Sequence, residues 1–491
     1  MKKRPFKERL FRALGELRGR RYYSAQRFDG ARHTPADRGT WAHVDLLAYD
    51  VANDKATRER IRARARYVVV NNAYAAGAAQ ALVNACVGTR PRIQLYTDDL
   101  DASAVSMIEA DFMEWAAAVN LPSKLRAGRF ARFVDGEAFF VLYNNPRLKT
   151  ASGVQLDLKT LDADRVTSNC FAPTSQDVDG VILDEYGNPL KYRILDQHPG
   201  DASSVDALNK ATIYDASRVC HWFNQLYPEQ HRGTSELAPA LELFALIDRY
   251  SKAVVQASET AADIAMVFTT DSVTDDGAYS IDETPQAVAG DGPPFAQIPW
   301  SRGMTMTAPE GWSVKQVNAE QPSSSYSMLV NEVLAQIGAS IGVPKLLMKN
   351  SAENYNYSSA RVDLQQFQIK TRLDRQTLAA SVLNPIFREW FKEYRTIAGV
   401  DARIRCEWFF DGFFHVDPLK EANASRVRLE SLTTTYSDEI GARGLDWEQQ
   451  LHELAREKAL IKELEKRYGV TLTPGAQQAQ DIKEDNDAEN V

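Results

Sequence analysis

The stretch SELAPALELFALIDRYSKAVVQASETAADIAMVF, residues 235–268, decides the architecture. It holds no glycine, and its one proline, Pro239, falls in the first turn, where a missing N–H leaves no helical bond unmade. Leu237, Leu241, Phe244, Ile247 and Val254 recur at helical spacing, so the run predicts one helix on the order of 50 Å long at ~1.5 Å per residue. A helix that outgrows an ordinary domain reads as a strut or an oligomer contact. A second amphipathic helix follows at 323–341, capped by Ser323, Ser324 and Ser325. It carries Tyr326, Leu329, Val333, Ile337 and Ile341 on one face and stops at Gly342 and Pro344. The two apolar faces exceed what a hairpin alone buries. The struts are therefore expected to pack side by side and against neighbouring subunits, through Leu241, Phe244, Val333 and Ile337.

Between the struts, residues 269–320 turn to short strand-like pieces rich in Gly, Pro and acid, including Asp275, Asp276, Asp282 and Glu283, with a local charge of −6. An exposed charged module at the tip of two struts suits docking, with Trp300 and Trp312 as candidate anchors. Beyond the second strut, residues 345–357 read as an irregular polar loop that can change shape without disturbing either core. Another long helix opens at Ser358 and is expected to break at Pro385. It resumes with Phe387, Trp390, Phe391 and Tyr394, an i, i+3, i+4, i+7 pattern that reads as a core face rather than a cofactor box.

Toward the N-terminus the texture is α+β. Arg58, Arg60, Arg62, Arg64 and Arg66 alternate ahead of an alanine-rich helix; on a helix they circle the axis, which predicts a solvated first turn with inter-element ion pairs. Val105, Ile108, Phe112 and Trp115 make an amphipathic helix from a cap at Ser103. GEAFFVLY (136–143), the alternation Val154, Leu156, Leu158, the pair Val181 and Leu183, and Leu190, Tyr192, Ile194 signal a sheet that ends with RVCHWFN (218–224). Residues 1–33 hold eleven Lys/Arg against Glu8, Glu16 and Asp29, a basic arm. The last third is helical, with Asp446 and Gln449 as a capping box and Gly469 as a stop, and 471–491 is an acidic tail of disordered composition.

With 491 residues, 44% hydrophobic and 25% charged, the chain has the material for roughly three domains. A formal charge of −8 argues against a protein that coats nucleic acid. Cys86, Cys170, Cys220 and Cys406 lie far apart, so no disulfide framework or zinc ribbon is legible. No apolar core of signal-peptide length and no membrane-spanning run is present, which predicts a soluble intracellular protein. The glycine-rich phosphate loops, the G-x-S-x-G elbow, H-E-x-x-H and S-x-x-K are all missing, and the seven histidines never fall at paired ligand spacing. His221 and His415, flanked by aromatics, read as satisfied core or interface residues, and no catalytic residue, metal or cofactor is expected.

The order α+β domain, strut, acidic insertion, strut, polar loop, kinked helix and helical C-terminus resembles the portal proteins of tailed bacteriophages, in their lambda-like branch. The wording that carries the resemblance is RARARYVVVNNAYAAGAAQALVNACVG (62–88), HRGTSELAPALELFALIDRY (231–250), IGVPKLLM (341–348) with NYNYSSARVDL (354–364), and VDPLKEANASRVRLESLTTTYSDEIGARGLDWEQQLHELARE (416–457). It spans roughly residues 50–465, and Thr433 stands where the pattern has a glycine.

The resemblance implies an α+β ring subunit. Its parts are a basic arm at 1–47, a wing at 48–234, stem helices at 235–268 and 321–344, a clip at 269–320, a tunnel loop at 345–357, a long kinked helix with the rest of the wing at 358–415, a helical crown at 416–470, and the tail. It implies a homo-oligomer, typically of twelve subunits, at one capsid vertex of the virion, assembled in the host cytoplasm. Double-stranded DNA is packaged and ejected through it, and no membrane is involved. Its implied partners are the large terminase subunit, a head-completion or adaptor protein, and the major capsid and scaffolding proteins. Lys345, Lys349, Asn350, Ser351, Asn354 and Asn356 would face DNA; Asp275, Asp276, Asp282, Glu283 and Trp300 would form the clip's docking face. A passage lined by carboxylates repels phosphates and gains no tight affinity, so a duplex slides. Two other classes stay open: another oligomeric structural or adaptor protein of the virion, and a metal-dependent nuclease using scattered carboxylates.

Overall fold

The computed structural model describes residues 47–169, 176–201, 210–263, 267–270, 312–315, 324–353, 355–413, 418–441, 443, 445, 447–470 and 472. The chain divides at Asp54 into two units; of the first, a helical turn at Tyr49–Ala52 is described. The second begins with helices α1 (Lys55–Asn71) and α2 (Ala73–Val87), separated where the Asn72 side chain accepts from the N–H groups of Tyr74 and Ala75. Strand β1 (Arg92–Tyr96) follows, then α3 (Ala102–Ala118) and α4 (Leu121–Asp135). Asp101, not Ser103, caps α3, because its carboxylate reaches the Ala104 N–H at 2.9 Å.

The sheet signals resolve into two layers. One has order β3-β2-β8, with β2 at Glu137–Asn144, β3 at Leu156–Leu161 and β8 at Val219–Phe223. The other has order β4-β5-β6-β7, at Asp177–Val178, Val181–Leu183, Pro189–Leu195 and Ala211–Asp215. All the pairings are antiparallel. Strand β2 is apolar without alternation because both its faces are covered. Ala138, Phe140 and Leu142 join the core under α3, and Phe139 and Val141 join a second core with Val181, Tyr192 and Ile194. Gly136 turns the chain from α4 into β2 at φ +92°, with Thr234 and Ser235 where a Cβ would sit.

The first strut is shorter than its sequence pattern. A 3₁₀ turn at Ala238–Ala240 leads into α5 (Leu241–Asp263), about 34 Å at ~1.5 Å per residue. Val267–Thr270 is then strand β9, paired antiparallel with β10 (Trp312–Lys315). The second strut, α6 (Ser324–Ile341), ends at Gly342, φ +68°. Its buried face is Val330, Val333, Leu334, Ile337 and Ile341, one residue round from the predicted stripe, so Leu329 is exposed.

Helix α7 (Lys345–Lys349) precedes the long helix α8 (Tyr357–Leu378). The expected break at Pro385 is absent. A π-turn, Ala379–Leu383, carries α8 into α9 (Asn384–Ala398), and the Asn384 N–H bonds the Ala379 carbonyl five residues back. Pro385 sits in the first turn of α9, where its missing N–H is tolerated. The aromatic face of α9 is core, as predicted: the ring of Phe112 lies 5.1 Å from Trp390 and 5.5 Å from Phe387, edge-on.

Strand β11 (Arg405–Phe409) then pairs with β1, more than three hundred residues earlier. Helices α10 (Pro418–Glu430), α11 (Tyr436–Gly441) and α12 (Trp447–Tyr468) complete the chain, and Arg428 ties α10 to α11 through Glu439 at 2.7 Å. Thr433 needs no glycine: the left-handed residue of that turn is Leu432, φ +57°. Cys86, Cys220 and Cys406 are free thiols. No helix among the described residues is long and apolar enough to cross a membrane.

Candidate functional site

The described site residues lie on the two struts and on the segment that follows the second. Leu241, Phe244, Val333 and Ile337 are brought together, but inside one chain. They are 8%, 1%, 4% and 0% exposed and share a core with α1 and α2. That burial corrects their reading as contacts to a neighbouring subunit, because a side chain already covered by its own chain has no surface left to offer. The strut faces left open carry Leu246 and Val255 on α5 and Met328 and Leu329 on α6. Higher up, Tyr326 stacks on Tyr250 at 5.7 Å between centroids and bonds Ser251 at 3.0 Å.

The predicted irregular loop is half helix. KLLMK (345–349) forms α7, and Met348, 4% exposed, packs into the strut core, so this part cannot move without opening that core. Lys349 donates from Nζ to Asn331 Oδ1 of α6 at 3.1 Å, and the Lys345 ammonium lies 5.4 Å from the Tyr355 ring centroid. Asn350 is the left-handed residue that ends α7, φ +49°, and the Ser351 hydroxyl accepts from the Glu353 N–H. Asn356 is the N-cap of α8, accepting from the Ser359 N–H at 2.8 Å while the Ser359 hydroxyl returns a bond to the Asn356 backbone. These polar residues, expected to face DNA, thus also have local structural work. Asn354 lies outside the described residues, as do Asp275, Asp276, Asp282, Glu283 and Trp300. Beside the loop runs a groove of about 630 Å³, lined among others by Gly338, Lys345, Tyr355, Asp363 and Lys370. Tyr355 donates to Asp363 at 2.9 Å, and burial together with that carboxylate pushes its phenol up to about 12.

Two buried ionic networks hold the base of the struts; the sequence reading missed the first and foresaw of the second only that the arginines would pair with other elements. In the first, Arg129 and Arg132 of α4 each reach Asp374 of α8, at 2.9 and 3.0 Å, and share Glu236, which Lys370 also approaches at 3.3 Å. Burial would raise the Glu236 carboxyl, but Arg129, Lys370 and Arg132 outweigh it and hold the group below its usual range.

The second network bears out the ion pairs expected of the arginines and corrects their expected solvation and scatter. Arg58, Arg62 and Arg66 stand at i, i+4, i+8 and form one stripe, while Arg60 and Arg64 point to solvent. Arg58 and Arg62 are 2% and 3% exposed, not solvated. Arg58 pairs with Asp179, Arg62 with Glu137 and Asp164, and Arg66 with Asp135, Asp162 and Asp164. Glu137, wholly buried, also accepts both Arg232 Nη2 at 2.6 Å and the Gly233 N–H at 3.0 Å, and meets His221 Nε2 at 3.0 Å. Burial would push Glu137 up; Arg232 and Arg62 overcome it and hold it well below the carboxylate range. His221 shifts down because its own burial outweighs that contact, and it stacks on Phe139 at 4.2 Å, the satisfied core histidine predicted. Arg232, which the sequence reading did not single out, is the centre of this cluster. The one legible signal was the stripe itself, read at a four-residue rather than a two-residue period. Asp162, Asp164 and His198 also converge, but Arg62 and Arg66 already engage both carboxylates.

The fold is thus a mixed α/β body carrying two struts, with ionic clamps at their base and a small antiparallel ribbon between them in sequence. A profile of the family described as phage portal protein, lambda family, matches residues 47–375, and this chain belongs to that family. It is 23% identical over 466 residues to a probable portal protein of Halomonas phage phiHAP-1, covering 88% of this chain and 87% of that one. Portal protein B of Escherichia phage lambda is 23% identical over 161 residues, 30% of each chain. Among solved structures, the neck of an empty gene transfer agent particle computed with C6 symmetry has a TM-score of 0.43 at 15% identity, covering 77% of this chain and 88% of that one. A HK97 family phage portal protein from Corynebacterium diphtheriae has a TM-score of 0.28 at 12% identity, covering 73% and 96%.

Proposed function

We propose that copies of this chain close into a ring, typically of twelve, at one vertex of a phage particle, and that double-stranded DNA enters and leaves the capsid through its centre. The observation that carries this reading is the family match, which runs unbroken from the α/β body through both struts and the loop into α8. The charge balance agrees: at −8 per chain the assembly repels phosphate overall and lets a duplex slide. The protein acts by geometry rather than by catalysis, as a structural component of the virion put together in the host cytoplasm.

Within that ring, residues 345–357 line the narrow part of the channel, with Lys345 and Lys349 as the cations nearest the duplex and Asn350, Ser351, Asn354 and Asn356 beside them. Residues 269–320 form the docking face for the large terminase subunit and later for a head-completion protein, through Asp275, Asp276, Asp282, Glu283 and Trp300. The major capsid and scaffolding proteins are the ring's further partners. Electron microscopy of the purified protein tests the reading. Rings with a central hole wide enough for a duplex support it, and a uniform population of compact monomers overturns it.

A further inference from the structure

Among the described residues strand β11 pairs on one edge alone, with β1, in the register Tyr96↔Arg405 through Arg92↔Phe409. The Leu95 N–H does not enter that ladder; it is taken by the Glu109 carboxylate of α3 at 2.6 Å. Leu95 and Cys406 are therefore a non-hydrogen-bonded pair, and by the alternation of an antiparallel ladder so are Ile93 and Trp408. It follows that the N–H and C=O groups of Cys406 and Trp408 point away from β1. Among the described residues no backbone group meets them. The two edges of this ribbon thus differ: α3 covers the β1 side, and no described residue pairs with the β11 side.

What lies along the open side is a groove with a definite chemistry. One part, about 1210 Å³, runs between β11 and α9; another, about 370 Å³, continues beside α8. The two share Asn384, Cys406 and Glu407. The floor is apolar, with Phe387, Phe391 and Ile404. The walls carry Arg372, Arg388, Lys392, Arg395 and Arg405 against only Glu389 and Glu407. Glu389 is shared between Arg218 at 3.4 Å and Lys392 at 3.9 Å, and Arg395 meets Asp401 at 3.6 Å, so the surplus of positive charge rests on Arg372, Arg388 and Arg405. Asn384 fixes the strand's height in it, accepting from Trp408 Nε1 at 2.8 Å and Cys406 Sγ at 3.5 Å.

We propose that this groove takes an extended acidic segment of another polypeptide, which adds to β11 as a third strand. A strand edge supplies main-chain bonds at every second residue, and side chains of an added strand alternate between its faces. One face of the incoming segment meets Phe387, Phe391 and Ile404, with Arg388, Lys392 and Arg395 of the same helix beside them, and Arg405, which alternates with Ile404 and Cys406, stands toward the other face. The ligand is therefore a segment in which apolar and carboxylate side chains alternate. Natural proteins guard exposed edges by covering or charging them; here the charge is predominantly positive, which disfavours a second copy of the same edge and attracts an acidic strand.

The test uses the purified full-length protein and three fluorescent peptides: acetyl-Glu-Val-Glu-Val-Glu-Val-Glu-amide, the same peptide with proline for its central valine, and its lysine counterpart. By anisotropy the first is expected to bind at least tenfold more tightly than the other two. Its binding should slow hydrogen exchange at the Cys406 and Trp408 amides, and the double variant Arg388→Glu, Arg405→Glu should reverse the preference toward the lysine peptide. Equal binding of the proline peptide would mean simple charge attraction and overturn strand addition. Amides at 406 and 408 already protected in the free protein would mean that the edge is occupied by the chain's own assembly. Displacement of the acidic peptide by duplex DNA would assign the cations to phosphate. Either outcome sinks the proposal.

Discussion

Replacing Glu137 by glutamine probes the arginine cluster most directly. The carboxylate is fully buried, and Arg62, Arg232 and the Gly233 N–H all converge on it. Glutamine keeps the shape and one acceptor oxygen but removes the charge, leaving Arg62 and Arg232, 3% and 0% exposed, facing each other without their common counter-ion. Removing one partner of a buried pair costs about 3–5 kcal/mol, because the desolvated charge left behind has no compensation. For a cooperative unit of 150–250 residues each kcal/mol moves the melting point by about 2–4 °C, so a fall on the order of 10 °C is expected. The internal control is Glu242→Gln. It loses an ion pair with Arg64 whose side chains are 83% and 68% exposed, and should change stability by no more than about 0.5 kcal/mol. Differential scanning fluorimetry of both variants, with mass by light scattering to fix the assembly state, reads the difference. A Glu137→Gln shift no larger than the control would show that Asp179 and Asp164 neutralise the arginines by themselves, and the clamp would lose its centre.

The same cluster sets a pH dependence. His221 is shifted down, so the unfolded chain binds its proton first and stability declines as pH falls below about 6.5; His221→Asn should flatten that limb. Glu137, Asp164 and Asp179 are held low, so their contribution is present above about pH 4 and is lost as pH drops through their folded values, a second limb that His221→Asn leaves in place. Phe244→Asp with Ile337→Asp should abolish soluble folding, since both side chains are buried within one chain, whereas Leu246→Asp with Met328→Asp should leave a folded subunit; thermal melts distinguish the two pairs. Leu432→Gly should stabilise by about 1 kcal/mol in urea titration, because a left-handed leucine, 89% exposed, gives up little packing. Lys349→Glu should preserve assembly, at the loss of one bond to Asn331, yet impair DNA packaging or retention; packaging at the native level would remove Lys349 from the channel.

What the amino-acid order determined by itself is whatever depends on near neighbours along the chain. The period of apolar residues in 235–268 and 323–341 specifies two amphipathic struts, and the continuous run in β2 specifies a strand covered on both faces, because helical and pleated geometry convert local spacing into a buried face. The order of those elements, with the wording around them, was enough to point to the family that the profile over 47–375 establishes. Where an element ends was less legible. The helical pattern runs past Asp263 into residues that pair instead as β9, since a strand partner forty-five residues away outweighs local propensity. The α7 helix in a loop of polar composition is fixed by Met348 entering the strut core. Tertiary structure alone decided the charges and the edges. Five alternating arginines look alike in sequence, and only carboxylates arriving from α4, β2 and the segments at 162–179 select 58, 62 and 66 for burial and leave 60 and 64 in water. The β1–β11 ribbon likewise joins residues that share no local signal, because hydrogen bonds between strands are indifferent to the length of chain that separates them.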